Sequence, residues 1–206
     1  MSLTLTNRVV VFDYGEVISR GPNSRTRAEL IELAGVPEAQ FFESYEAHRD
    51  DLDRGIISVR EYWKLIEADL GTSWSESRIH ELWVADFTGW ISVEPGTFDV
   101  IADLHAGGTR VALLSNAGFD FGSPFRFSPM ARFFERMFVS AEMLMLKPEA
   151  EIYLEVVAEL GITPAQMIFI DNKQMNVDGA AALGIAGHHF VTPEGLRAYL
   201  ETLQDR

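Results

Sequence analysis

Val9-Val10-Val11-Phe12-Asp13-Tyr14-Gly15-Glu16-Val17-Ile18 begins with an unbroken apolar run and turns at once into an acid and a glycine. A strand with one wet face alternates apolar and polar residues, whereas a short continuous apolar run suits a strand covered on both faces of a parallel sheet. Open sheets of that kind bind ligands outside the carboxyl ends of their strands. A carboxylate directly after the strand therefore stands where such a sheet performs chemistry, and Gly15 lets the backbone turn closely around a ligand. An aspartate at this point also serves as a plain turn cap, so the choice between the two readings rests on the rest of the chain.

Beyond the first strand, Arg8–Phe12, the runs Arg110–Leu114, Arg136–Val139, Met167–Ile170 and His188–Val191 repeat the same pattern and are predicted as strands. Helical stretches lie between them. Thr97–Ala106 ends at Gly107-Gly108, and Glu149–Leu160 follows Pro148 and stops at Gly161, a C′ glycine. Thr163-Pro164-Ala165-Gln166 has the form of a capping box, and Val177–Leu183 ends at Gly184. This alternation predicts an α/β fold, a doubly wound parallel sheet. The stretch Ser19–Ile91 breaks it with helical patterns and almost no strand signal. In it Ser24 is placed to cap a helix ending before Gly35, and Pro37 opens a long helix that Gly55 closes. Ser58-Val59-Arg60-Glu61 and Ser73-Trp74-Ser75-Glu76 both have the form of capping boxes. The expected organisation is a core of residues 1–18 and 92–206 with residues 19–91 inserted as a helical domain.

Seventeen Lys and Arg against thirty-one Asp and Glu give a formal charge of −14. That charge opposes the counterion release that dominates nucleic-acid affinity and disfavours anionic membrane surfaces, so neither is an expected partner. The chain has no cysteine, which excludes thiolate catalysis, disulfides and cysteine zinc sites. No apolar run reaches the length of a membrane span and no secretory signal pattern opens the chain, so the expected location is the cytoplasm. Oligomeric state has no readable signal.

Three further stretches place polar residues at strand ends. Leu113-Leu114-Ser115-Asn116-Ala117 offers a hydroxyl and backbone N–H groups suited to phosphate oxygens, although Ser-Asn is also ordinary turn chemistry. Leu146-Lys147-Pro148-Glu149 sets one lysine before a helix. An aspartate and a phosphate brought to ~4 Å repel by about 4 kcal/mol at an effective dielectric of ~20, and a nearby ammonium removes much of that barrier. Ile168-Phe169-Ile170-Asp171-Asn172-Lys173 ends another buried strand in an acid, suited either to capping a helix or to an oxygen-ligand site for Mg2+. The joint occurrence of all four stretches, in order, at strand ends raises the functional reading above independent turns.

Together these stretches resemble the four signature motifs of the haloacid dehalogenase superfamily over nearly the whole chain, a family with a Rossmann-like core. The resemblance implies Asp13 as a nucleophile that forms an aspartyl-phosphate. It implies Ser115, with Asn116, as phosphate-binding, and Lys147 as the group that steadies both anions. It also implies Mg2+ held by Asp13, the Gly15 carbonyl and Asp171/Asn172, a small phosphate ester as substrate, and residues 19–91 as the family's helical cap. Asp53-Arg54-Gly55-Ile56-Ile57-Ser58, Lys147-Pro148-Glu149-Ala150-Glu151-Ile152-Tyr153 and Asn176-Val177-Asp178-Gly179-Ala180 are similar to the bacterial sugar-phosphatase branch, which includes glucose-1-phosphate phosphatases.

Two positions depart from the family pattern. Gly15 stands where family phosphatases carry a second Asp as general acid/base, a role worth typically ~10²–10⁴ in rate. The nearest replacement acid in sequence is Glu16. Asn172 stands where a second acid is common, and an amide ligates Mg2+ without contributing charge. These departures keep two other readings open: a metal-independent 2-haloacid dehalogenase, and a non-catalytic binding module. His188 and His189 are neighbours on one strand and point to opposite faces, so they cannot chelate a metal together. His48 and the tryptophans Trp63, Trp74, Trp83 and Trp90 are expected at the surface and in the packing of the helical insert, respectively.

Overall fold

The computed structural model describes residues 2–204; residues 1 and 205–206, the outermost positions of the expected core, lie outside it. The sheet consists of β1 (Val9–Phe12), β2 (Arg110–Ser115), β3 (Arg136–Val139), β4 (Met167–Asp171) and β5 (Ala186–His189). All neighbours are parallel, in the order β3-β2-β1-β4-β5. β1 is the central strand and is buried throughout. Its side chains alternate between two cores, as the period of a strand dictates. Val10 and Phe12 join Val100, Ile101, Leu104, Phe121 and Leu196, while Val9 and Val11 join Ile152, Tyr153, Val156 and Ala180. A strand apolar at every position is therefore what a two-faced core requires.

Helices α1 (Ser24–Ala34), α2 (Glu38–Ala47), α3 (Arg49–Asp53), α4 (Val59–Asp69) and α5 (Glu76–Trp90) lie between β1 and β2, preceding α6 (Pro95–Ala106). They pack around a cluster of their own that contains Leu30, Phe41, Tyr45, Tyr62, Trp63, Trp74 and Leu82. After β2 come α7 (Phe119–Phe127), α8 (Ser140–Met143), α9 (Ala150–Glu159), α10 (Gln174–Ala181) and α11 (Pro193–Thr202). Among the described residues no helix is long and apolar enough to cross a membrane.

Local chemistry moves several expected boundaries. The first helix of the insert is capped by Asn23 rather than Ser24, because the Asn23 carboxamide oxygen accepts from both Arg25 N (2.9 Å) and Thr26 N (3.0 Å). The single helix expected after Pro37 breaks at His48, whose backbone leaves the helical region, so α2 and α3 are separate. The capping box at Ser58 is present. The one expected at Ser73 is replaced by a cap at Ser75. Trp74 is buried with its indole N–H donating to Ala34 O (3.2 Å) and its backbone N–H held by Glu67, so the chain stays extended until Trp74 is seated. The last strand starts two residues before the expected His188, at Ala186. Small residues there let α10 come close, and a Cβ on Gly187 would lie 2.6 Å from Val177. His188 stacks on Tyr199 with ring centroids 4.3 Å apart, and His189 is exposed.

Candidate active site

Strand register alone brings the two aspartates together. Phe12 lies opposite Ile170, and Asp13 N donates to Ile170 O at 2.8 Å, so Asp13 and Asp171 leave adjacent strands side by side. Phe12 also lies opposite Leu113, which puts Ser115 at the same end of the sheet from the other side of β1. The strand order reverses about β1, with the next strand in sequence on one side and β4 on the other, so this is the switch-point crevice of a doubly wound sheet.

Lys147 enters that crevice from the loop between α8 and α9. Its ammonium, on a residue only 5% exposed, donates to Asp13 Oδ1 at 2.6 Å, Asp171 Oδ2 at 2.7 Å and the Leu114 carbonyl at 3.1 Å. The ring of Phe169 lies beneath it, with its centroid 5.4 Å away. All three donor positions of the ammonium are thus used. Asn116 holds the lysine's backbone from both sides, its Nδ2 donating to Lys147 O (3.1 Å) and its Oδ1 accepting from Lys147 N (3.0 Å). The Asn116 side chain therefore positions the Lys147 backbone. Asp171 is fully buried and accepts from Lys173 N (2.7 Å) and Asn176 Nδ2 (3.0 Å). Asn176 belongs to a motif that sequence reasoning quoted without giving it a role.

Burial pushes the Asp13 carboxyl up to about 6; Lys147 works against that rise and Asp171 adds to it. Burial alone would lower the Lys147 ammonium, but Asp13 and Asp171 outweigh it and hold the lysine above its ordinary value. The lysine is therefore charged at any physiological pH, and Asp13 is ionised above roughly pH 6.

Among the described residues no group of three or more His, Cys, Asp or Glu is arranged to hold a metal. The oxygen donors at this end of the sheet are of mixed type: the carboxylates of Asp13 and Asp171, the Gly15 backbone and the Asn172 amide. Asn172 Nδ2 donates to Glu16 Oε2 at 2.9 Å, while Asn172 Oδ1 is buried with no hydrogen-bond partner among the described residues. A buried acceptor without a partner calls for a donor or a cation. Hard oxygen ligands with one orphaned oxygen among them fit Mg2+.

Asp13, Gly15, Ser115, Asn116, Lys147 and Asn172 line one cavity of about 550 Å³ whose opposite wall comes from α1, α2, α3 and α5. That wall carries Arg27, Phe42, Tyr45, Arg49, Asp53, Asp86 and Trp90. Tyr45 donates to Asp86 at 2.7 Å, and Arg49 pairs with Asp53 at 3.0 Å and with Asp86 at 3.7 Å. Burial raises the carboxyls of Asp53 and Asp86 above the ordinary range, with Arg49 opposing it at each. Trp90, expected only as a packing residue, closes on the turn that follows Asp13, since a Cβ on Gly15 would touch its ring at 3.5 Å. Sequence reasoning missed Tyr45, Arg49 and Asp86 because no motif marks them. Asp53 at least stood in the quoted Asp53-Arg54-Gly55 stretch.

The turn that carries Asp53 also docks on the sheet side. Arg54 forms a two-pronged ion pair with Glu149, next to the lysine loop, and Ser140 Oγ donates to the Asp53 carbonyl. Gly55 has φ +77°, and a Cβ there would lie 2.5 Å from the Ala141 carbonyl oxygen, so glycine is required on both counts.

No family model matches the chain. It is 26% identical over 189 residues to a sesquiterpene phosphatase of Aspergillus oryzae, covering 89% of this chain and 90% of that protein. A predicted HAD-like family hydrolase of Porphyromonas gingivalis superposes with a TM-score of 0.72 at 24% identity, covering all of both chains. A HAD family enzyme of Bacteroides thetaiotaomicron, solved in complex with magnesium and inorganic phosphate, superposes with a TM-score of 0.69 at 23% identity over 88% of this chain and 92% of that one.

Proposed function

We propose that this chain, which belongs to the haloacid dehalogenase-like hydrolase superfamily, is a Mg2+-dependent phosphatase of small phosphorylated metabolites, with Asp13 as its nucleophile. The observation that carries the reading is the buried Lys147 ammonium bridging Asp13 and Asp171 at the switch point of the sheet. A carboxylate so held is charged, fixed in direction and already shielded from an approaching anion.

An Asp13 carboxylate oxygen attacks phosphorus, forming the Asp13–phosphoryl bond as the bond from phosphorus to the ester oxygen breaks and the departing oxygen takes a proton from solvent water. Water then attacks the acyl phosphate, releasing inorganic phosphate and restoring Asp13. Ser115 and the N–H groups that follow it bind the phosphoryl oxygens, and Lys147 offsets the charge that builds between nucleophile and substrate. Asp13, the Gly15 carbonyl, Asp171 and Asn172 would hold Mg2+, which supplies further charge neutralisation to the phosphoryl group. Residues 19–91 act as a cap whose inner wall selects the leaving group.

Two features favour a sugar-phosphate-like substrate. The cap wall combines hydroxyl-accepting carboxylates, Asp53 and Asp86, with the aromatic faces of Phe42, Tyr45 and Trp90. Gly15 provides no side-chain acid, which suits a hemiacetal oxygen because it departs more readily than an ordinary alkoxide. The test is Asp13→Asn in a screen of phosphorylated metabolites and haloacids with and without Mg2+. The amide keeps the shape but not the charge of the nucleophile, and Lys147 keeps Asp171 as partner, so turnover is lost while the fold survives. Full phosphatase activity in Asp13→Asn, or haloacid turnover independent of metal, would overturn the reading.

A further inference from the structure

Three polar groups of Asn172 have an assigned or open state that together define a direction. Its carbonyl accepts from His189 Nε2 at 2.9 Å, and its Nδ2 donates to Glu16 Oε2 at 2.9 Å. Its Oδ1, buried on a residue that lines the catalytic cavity, has no partner among the described residues. A carboxamide turned by half a revolution keeps its shape, so only hydrogen bonding decides which end carries the oxygen. In the reversed orientation Asn172 Oδ1 would face the Glu16 carboxylate, acceptor against acceptor. Glu16 therefore selects the orientation that leaves Oδ1 free.

Glu16 is itself held unusually. Its φ of +57° lies in the left-handed region, uncommon for a residue other than Gly or Asn. Ser19 Oγ accepts from Glu16 N at 3.4 Å and from Gly21 N at 3.3 Å, closing the turn that keeps this conformation. The turn directly after the nucleophile is thus shaped to bring a carboxylate against the carboxyl end of the neighbouring strand.

We propose that Glu16 and Asn172 together act as one divided carboxylate toward the active-site Mg2+: Asn172 Oδ1 faces the cation, while Glu16 fixes the amide and supplies the negative charge beside it. Glu16 is a positioning residue in this arrangement, acting through Asn172. With Asp13 and Asp171, the pair sets three carboxylates and one ammonium around the place a divalent cation would take. The amide at 172 is then a rearrangement of the site's charge, and the charge is not lost. The inference rests on the Mg2+-dependent phosphatase reading but is separable from it by experiment.

The experiment is calorimetric titration of Mg2+ into the purified full chain, with melting temperatures recorded in EDTA as the check on folding. Residues supporting a metal ligand typically contribute 10–100-fold in affinity, so Glu16→Gln and Asn172→Leu should each weaken Mg2+ binding by about tenfold or more without moving the metal-free melting temperature. The double variant Glu16→Gln/Asn172→Asp, which moves the carboxylate to position 172, should recover binding to within a few-fold of wild type. Wild-type affinity in Glu16→Gln, alongside lost affinity in Asp13→Asn, would overturn the Glu16 role and leave the phosphatase reading standing. Failure of the double variant to recover would likewise overturn the divided carboxylate. Absence of Mg2+ binding by the wild type at millimolar concentration would remove both.

Discussion

Replacing Lys147 by methionine keeps much of the side-chain volume and removes only the charge and its three hydrogen bonds. The consequence follows from what those bonds hold: two carboxylates, one fully buried and the other 7% exposed, that leave adjacent strands side by side. Removing one member of a buried ion cluster leaves uncompensated charge and costs about 3–5 kcal/mol. For a chain of this size that corresponds to a fall in melting temperature of roughly 6–20 °C. The loss depends on pH in a defined direction. A carboxyl whose folded pKa lies above its unfolded value binds its proton more tightly in the native state, so its penalty is full above the raised folded value and fades as pH falls toward the unfolded one. Asp13 already stands at about 6 with the lysine present, and removing Lys147 raises it further. Lys147→Met should therefore be strongly destabilised at pH 7.5 and much closer to wild type at pH 5. Urea unfolding followed by circular dichroism, in EDTA at both pH values, measures the difference. A loss under about 1 kcal/mol at pH 7.5, below the range for a broken buried pair, or an equal loss at the two pH values, would refute the assignment of Lys147 as the counterion of both acids.

The acid limb of kcat/KM should fall as pH drops through about 6, because Asp13 must be ionised to attack; saturating Mg2+ should move that limb lower, and a flat profile from pH 5 to 8 would contradict Asp13 as nucleophile. Gly55→Ala, with φ +77° and a Cβ 2.5 Å from the Ala141 carbonyl oxygen, should destabilise the protein by more than about 1 kcal/mol in thermal melts; an unchanged melting temperature would show that the turn can shift freely. Beryllofluoride should bind wild type in the presence of Mg2+ and fail to bind Asp13→Asn, as followed by fluorine NMR; equal binding to the two would place the phosphoryl group elsewhere.

The sheet was legible because a two-faced parallel strand needs apolar residues at nearly every position, and β1, β2 and β4 obey that rule up to the residue before their polar ends. The placing of Asp13 and Asp171 at strand ends was legible for the same reason, since both follow buried runs, whereas the adjacency of their strands was not. The surroundings of Lys147 were legible only in part. The motif placed its ammonium beside two anions, but not its near-complete burial, nor the way Asn116, 31 residues away in sequence, holds its backbone from both sides. The cavity wall formed by the inserted helices was hidden more completely. Tyr45 and Asp86 meet across 41 residues between two helices whose periodicity reports only an apolar face. The strand edge misled for a local reason: the apolar pair Phe190-Val191 drew the expected strand forward, but Val191 is 74% exposed and the true strand uses Ala186 and Gly187 for close packing.

The positions that depart from the family pattern form one spatial group. Gly15 and Glu16 lie in the turn after β1, Asn172 lies directly after β4, and Trp90 packs against the first while Glu16 bonds the last. Taken singly, each looks like a loss: no general acid at 15, no carboxylate at 172. Taken together under the proposed reading, the Trp90 ring covers the position where an acid would stand, and the charge absent at 172 is supplied from 16. A carboxylate in a left-handed turn, bonded to an amide whose oxygen is then left free, is the arrangement the proposed metal site requires if the charge absent at 172 is to be supplied from a neighbour.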